Sequence, residues 1–247
     1  MALKHVRKTY EKLGESDPLY AVLSFREARG NKWDPDAFFE RGRKEIETTI
    51  RQLGELGLEP ANGRALDFGC GVGRLTQALC EHFDEVTGVD ISSSMVAAAE
   101  RYNRHSGRCH YLVNTSDDLA QLDDATFDFI YSNIALQHSP PDAARRYIAE
   151  FFRLLKPGGI ARFQMPSGPR HDPGTWSEKL YALRRGPLRR LWKRLRGKAP
   201  VEIHYLNRGV VEEIIARSGG RLVDVRVDGS VRRSRISLMY TAVREPD

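Results

Sequence analysis

The chain has 247 residues, 40% hydrophobic and 29% charged, with a net charge of +6. This length and apolar share support one sizeable core with appendages; no apolar run approaches the roughly 20 residues of a membrane-spanning helix. The excess charge is local, because eight basic residues and no acid fall between Arg184 and Lys198, so an anionic partner can be argued only from that segment.

Residues 1–30 are polar with scattered apolar positions (Leu19, Val22, Leu23, Phe25) and are expected to form an irregular or partly helical extension. Residues 1–8 carry charge without the apolar stretch of a secretory leader. Cys70, Cys80 and Cys109 show no paired metal spacing and are expected as free thiols, which suits a reduced, cytoplasmic setting. A helix starts at Asp34-Pro35-Asp36, with Asp34 as cap and Pro35 in the first helical position. It carries Phe38, Phe39, Ile46, Ile50, Leu53 and Leu56 and stops at Gly57.

The stretch Ala65-Leu-Asp-Phe-Gly-Cys-Gly-Val-Gly-Arg-Leu75 then gives an apolar strand, a tight glycine loop and a helix start. Glycine lets a ligand approach bare backbone, and the first turn of a helix offers unpaired N–H donors. Val86-Thr-Gly-Val-Asp90 is a second short strand ending in a carboxylate that can take both hydroxyls of a ribose. Together the two pieces predict a nucleoside site. The spacing differs from the G-x-G-x-x-G of dinucleotide folds, since Arg74 stands where the third glycine would be, and Asp67 would repel a pyrophosphate but suit a cation.

Ser92 caps the next helix, residues 111–113 form a third strand, and residues 114–119 follow as an acidic turn. A fourth strand over 127–132 delivers residues 133–138 to its carboxyl end, where open α/β sheets bind ligands. Ser139-Pro-Pro-Asp142 reads as a capping box opening a helix with Tyr147, Ile148, Phe151 and Leu155 on its buried side. Leu155-Lys-Pro-Gly-Gly159 turns into a fifth strand over 160–165. Residues 167–206 interrupt the sheet pattern. Within them Leu188, Leu191, Trp192 and Leu195 fall at i, i+3, i+4 and i+7, a basic amphipathic helix that would dock as a substrate lid, rest on an anionic membrane surface or guide a phosphorylated substrate. Asn207 caps a further helix, and strands over 221–228 and 234–244 close the fold.

The apolar pair, Asp67, the G-C-G-x-G loop and Asp90 resemble motif I and the following acid of the class I S-adenosylmethionine-dependent methyltransferases, of the small-molecule type. The resemblance spans roughly residues 60–165. It implies a Rossmann-like, doubly wound α/β fold with a seven-stranded, mostly parallel sheet, an antiparallel last strand and helices on both faces. The chain would divide into an extension and lid helix (1–59), a cofactor-binding core (60–166), the basic insertion (167–206) and a helix with closing strands (207–247). The cofactor implied is S-adenosyl-L-methionine, with S-adenosyl-L-homocysteine as product and no metal.

Residue by residue, the resemblance implies that Asp67 helps hold the cationic methionine end, with Gly69, Cys70, Gly71 and Gly73 packed against it. Asp90 would bind the ribose and Met95 would lie near the adenine edge; Ile91 and Asn133 are also counted with the cofactor site. Thr115 stands where many relatives have Asp, so Ser116 or Asp117 would contact the adenine amino group in its place. An amino-terminal lid would bring Trp33, Phe38 and Phe39 over the nucleoside, although such an aromatic cluster also suits plain core.

Methyl transfer from a sulfonium is an in-line displacement that needs positioning, a dry pocket and loss of one proton from the acceptor. His138 is the first candidate base, with fixing the helix start at Ser139 as its alternative role; His204 and Tyr205 are candidates for the acceptor pocket, ahead of His171. The expected activity is methylation of an oxygen or nitrogen of a small molecule, with sugar-containing and lipid-linked metabolites as the candidate acceptors. Its rivals are an RNA or protein methyltransferase using the basic helix, which only Trp192 interleaves with an aromatic ring, a non-catalytic nucleoside-binding domain, and a nicotinamide enzyme. Nucleic acid is not favoured, and no oligomeric state is implied.

Overall fold

A computed structural model describes residues 2–169, 202–229 and 235–246. The basic helix expected between 184 and 198, most of the 167–206 insertion and His171 lie outside the described residues. Strands β1 (Arg64–Phe68), β2 (Glu85–Asp90), β3 (Cys109–Val113), β4 (Phe127–Ser132), β5 (Leu155–Pro169), β6 (Gly220–Asp228) and β7 (Arg235–Arg244) form one sheet in the order β3-β2-β1-β4-β5-β7-β6. The first five are mutually parallel, and β7 enters antiparallel between β5 and β6. The chain switches direction across the sheet between β1 and β4, and the crevice beyond their carboxyl ends is where such folds bind ligands.

Around the sheet lie α1 (Ala2–Ser16), α2 (Pro18–Val22), α3 (Pro35–Glu55), α4 (Arg74–Leu79), α5 (Ser93–Tyr102), α6 (Pro141–Leu154) and α7 (Arg208–Arg217). Period-two alternation in the strands sends neighbouring side chains to opposite faces. Leu66, Phe68 and Ile130 join α6 residues such as Tyr147, Ile148 and Phe151 in one core. Ala65, Phe129 and Tyr131 join Ile46, Leu53 and Leu79 of α3 and α4 in the other. The sheet is therefore covered on both faces, as the resemblance implied. Asp34 caps α3 through its carboxylate, which accepts from the N–H groups of Asp36 (2.7 Å) and Ala37 (3.2 Å). Ser92 caps α5 through Met95 N–H at 3.2 Å.

Three local expectations are corrected. Ser139 is not the cap of α6; Pro140 precedes the helix, no side chain caps it, and the short turn Leu136–His138 leads in instead. Asn207 stands at the start of α7, but its side chain makes no capping bond. Cys80 and Cys109, expected as free thiols, are paired as a disulfide joining the end of α4 to the start of β3, while Cys70 is free and buried. The pairing follows from α4 packing across the sheet, a contact between residues 29 apart that sequence spacing does not encode.

The amino terminus differs most from expectation. It is a continuous helix, α1, followed by a short second one, α2. The signal was the spacing of Leu3, Val6, Tyr10 and Leu13, at i, i+3, i+7 and i+10, which gives one apolar stripe on a helix. Glu15 to Asp17, Pro18 and the charges between the stripe positions mask it when the segment is judged by composition alone.

Candidate functional site

A cleft of about 830 Å³, part of it open to solvent, lies at the switch point. Its floor comes from the carboxyl ends of the parallel strands: Phe68 at the end of β1 with Gly69 and Gly71 after it, Val89 to Ile91 at the end of β2, Asn114 after β3, and Asn133 to Ala135, His138 and Ser139 after β4. Leu3, Val6 and Tyr10 of α1 with Ala21 and Val22 of α2 form the opposite wall.

The glycine loop is bound to the end of β2. Gly69 and Cys70 N–H groups donate to the Val89 carbonyl at 2.7 and 3.0 Å, and Gly71 N–H donates to Asp90 Oδ2 at 2.9 Å. Gly69 has φ +78°, and a Cβ there would stand 2.1 Å from the Ala135 Cβ; at Gly71 (φ +55°) it would stand 2.8 Å from Val22. Both the left-handed backbone and the close neighbours exclude a side chain.

Asp90 Oδ1 accepts from Ser92 N–H at 2.9 Å, so each carboxylate oxygen holds one backbone donor and keeps capacity for another. Burial pushes Asp90 above the usual carboxylate range, against the Ser92 and Gly71 N–H groups. Met95 and Ile91 stand beside it on the cleft wall.

Asn133 is oriented from the other side. Its Nδ2 donates to Glu45 Oε1 at 2.7 Å, which fixes the amide, and its Oδ1 is buried without a donor. Glu45, on α3, also receives Arg74 Nη2 at 2.8 Å and the Tyr131 hydroxyl at 3.2 Å. An orphaned buried acceptor is costly in a native protein and marks a place where a bound donor would be accommodated. Next to it Ile134 has φ +63°, a strained conformation for a β-branched residue worth on the order of 1–3 kcal/mol, and its N–H donates to Gln164 Oε1 at 3.2 Å.

Other residues singled out in the sequence do not line the cleft. Asp67 is 1% exposed and accepts from the Thr76 hydroxyl at 2.7 Å on the α4 side of the sheet. Cys70 is buried, and Gly73 (φ +77°) is packed against the Tyr111 ring at the start of α4. The turn at Thr115, Ser116 and Asp117 is organised by Asn114, whose Nδ2 donates to Asp118 O at 2.7 Å, while the Tyr147 hydroxyl donates to Ser116 O at 2.6 Å and Asp117 pairs with Arg146. Asn114 and Tyr147, rather than that turn, reach the wall. Trp33 donates its indole N–H to Leu23 O at 2.9 Å and packs edge-on against Phe25 and the fully buried Phe38. The aromatic cluster is thus core beneath α2, and the cover is α1 with α2.

His138 lies on the wall, but both ring nitrogens are engaged. Nδ1 meets the Glu202 carbonyl at 3.0 Å and must donate to it, which leaves Nε2 as the acceptor for the Gln137 amide at 3.2 Å. Burial of the ring holds it below the usual imidazole value, so it is neutral at pH 7. His204 contributes through its backbone, donating to Gln137 O at 2.7 Å; neither it nor the exposed Tyr205 lines the cleft. Among the described residues no group of His, Cys, Asp and Glu could hold a metal, and no helix is long and apolar enough to cross a membrane.

The carboxyl of Asp67 has a measurable consequence. Burial pushes it up to about 7, with the Thr76 hydroxyl and Arg74 opposing. The folded protein then keeps a proton that the unfolded chain releases near 3.8, so the stability it contributes is complete below that pH and is lost as pH rises through about 7. Asp67→Asn is expected to flatten the fall in thermal stability between pH 4 and 8; an unchanged slope in the variant would place its source elsewhere.

Residues 65–159 match the family model described as a methyltransferase domain. The chain is 38% identical over 104 residues to a ubiquinone biosynthesis O-methyltransferase of Xanthomonas axonopodis, covering 41% of this chain and 42% of the relative. It is 32% identical over 143 residues to a trans-aconitate 2-methyltransferase of Deinococcus radiodurans, covering 56% and 51%. The chain thus matches about two-fifths to half of the length of these relatives. In fold it superposes on the crystal structure of magnesium protoporphyrin IX methyltransferase from Synechocystis with bound S-adenosylhomocysteine, with TM-score 0.65 and 19% identity, covering 99% of this chain and all of the other.

Proposed function

We propose that residues 65–159, which match a methyltransferase domain model, form a class I, S-adenosylmethionine-dependent domain, and that the protein moves a methyl group to an oxygen of a small, largely apolar acceptor. The observation that carries the reading is Asp90 at the rim of a glycine-lined cleft, with each carboxylate oxygen able to take one more donor. The residues fit the cofactor: Gly69 and Gly71 leave bare backbone for the adenosyl group, Asp90 would hold the ribose hydroxyls, and the orphaned Asn133 Oδ1 offers an acceptor to an ammonium. Asp67, on β1 and away from the wall, does not touch the ligand in this reading. Oxygen is favoured because the ubiquinone relative is named an O-methyltransferase. The apolar acceptor is favoured because Asp90 is the one carboxylate on the described wall, and the cover contributes Leu3, Val6 and Val22.

When bound, S-adenosylmethionine supplies an electrophilic methyl on a sulfonium. What the chain supplies is alignment and exclusion of water, which in favourable cases are worth about 7–11 kcal/mol of barrier. Asp90 and Asn133 would hold the donor, and the α1–α2 wall stands over the cleft. His138, with both nitrogens engaged, holds residues 202–204 against the loop after β4 and thereby shapes the acceptor end.

Calorimetric titration with S-adenosylhomocysteine and with NADH tests the class: binding of the first alone is expected, and binding of NADH alone would overturn the reading. His138→Asn is expected to leave S-adenosylhomocysteine affinity within about twofold and to lower turnover without altering the shape of the pH profile, measured on the acceptor found by a labelled-methyl screen. Loss in the variant of an acid limb present in the wild type would instead assign His138 the role of base.

A further inference from the structure

Glu11 lies on the flank of α1 that packs on the start of α5, beside the stripe that faces the cleft and core, and it is the most heavily hydrogen-bonded carboxylate near the site. Oε1 accepts from Ser93 N–H (2.9 Å) and the Ser93 hydroxyl (3.0 Å), and Oε2 from Ser94 N–H (2.9 Å) and the Ser92 hydroxyl (3.2 Å). The Ser94 hydroxyl donates to the Glu11 carbonyl at 2.9 Å. A carboxylate from α1 thus caps the first turn of α5, where N–H groups lack helical partners and the helix dipole favours negative charge.

The capped turn follows Asp90 directly, and Ser92 N–H is the donor to Asp90 Oδ1. One residue before Glu11, Tyr10 lines the cleft and its ring lies 5.6 Å from that of His138. The helix therefore spans the cleft, with one side fastened beside the ribose carboxylate and the other resting on the loop after β4. A close approach makes the fastening possible: a Cβ on Gly14 would stand 2.3 Å from Ser94 Oγ.

We propose that Glu11 is a positioning residue that locks α1 across the cleft and couples this cover to the segment carrying Asp90, so that the nucleoside enters and leaves through release of the Glu11 cap. The proposal rests on the cleft being the donor site. Its first readout needs no ligand. Hydrogen exchange of the full chain is expected to be at least about tenfold faster in α1, and at the amides of Ser93 and Ser94, in Glu11→Ala than in the wild type, with β1 and β4 unchanged as the control for folding. Gly14→Ala is expected to do the same by displacing α1 from Ser94, although alanine is the better helix former. Stopped-flow binding should then show faster association and faster dissociation of S-adenosylhomocysteine in both variants.

Wild-type exchange rates in α1 of both variants would overturn the proposal. So would faster exchange in α1 with unchanged nucleoside rates, a result that leaves the donor reading intact. Absence of S-adenosylhomocysteine binding by the wild type, seen by calorimetry before any variant is made, would overturn the donor reading itself.

Discussion

Asp90→Ala is expected to weaken S-adenosylhomocysteine binding by about two to four orders of magnitude, because two charge-assisted hydrogen bonds to ribose hydroxyls, each worth about 1.5–3 kcal/mol, lose their acceptor. The substitution also strips Gly71 and Ser92 N–H of their partner, so part of the loss could come from a loosened loop. A second ligand separates the two effects. In the wild type, removing the ribose hydroxyls from the ligand should cost most of the same affinity; in the variant it should cost almost nothing, since the group that recognised them is gone. Calorimetry on both proteins with both ligands closes this cycle. Wild-type affinity in the variant, or an undiminished preference for the hydroxylated ligand, would remove Asp90 from the ribose site.

What the sequence disclosed and what it concealed divide along a physical line. The floor of the cleft was legible because it is local: Gly69, Gly71, Asp90 and the loop after β4 are placed by short strand-to-loop transitions whose residue types are dictated by backbone conformation and close approach. The alternation of Leu66 and Phe68 against Ala65, and the cap at Asp34, were legible for the same reason. The wall was not. Whether Trp33 or Tyr10 faces the cleft depends on how α1, α2 and α3 pack on one another, and an apolar stripe records only that a face is buried, not against what. The network joining Glu45, Asn133 and Arg74, and the disulfide between Cys80 and Cys109, are long-range contacts with no signature in spacing. Asp67 shows the limit of motif reading: its place beside the glycine loop was identified, but the Thr76 hydroxyl and the α4 packing that hold it on the other face of β1 lie in the tertiary structure.

Gly69→Ala is the substitution expected to damage the fold of the site most, and it tests the geometry of the floor without any ligand. Two separable terms act. A non-glycine residue held at φ +78° costs on the order of 1–2 kcal/mol wherever it sits. The new methyl would also stand 2.1 Å from the Ala135 Cβ, a distance that forces the loop after β1 and the loop after β4 apart. Overpacking of this kind typically adds about 1–3 kcal/mol. The single variant should therefore lose about 2–5 kcal/mol in denaturant unfolding. Ala135→Gly removes the opposing methyl, so the double variant should recover the packing part and keep the backbone part, leaving a coupling energy of about 1–3 kcal/mol in the cycle. Because Ala135 lies on the cleft wall beside the strained Ile134, Gly69→Ala should also reduce nucleoside affinity, and the double variant should regain it in proportion. Additive losses, with no coupling between positions 69 and 135, would mean that the two loops do not touch and that the cleft floor is built differently.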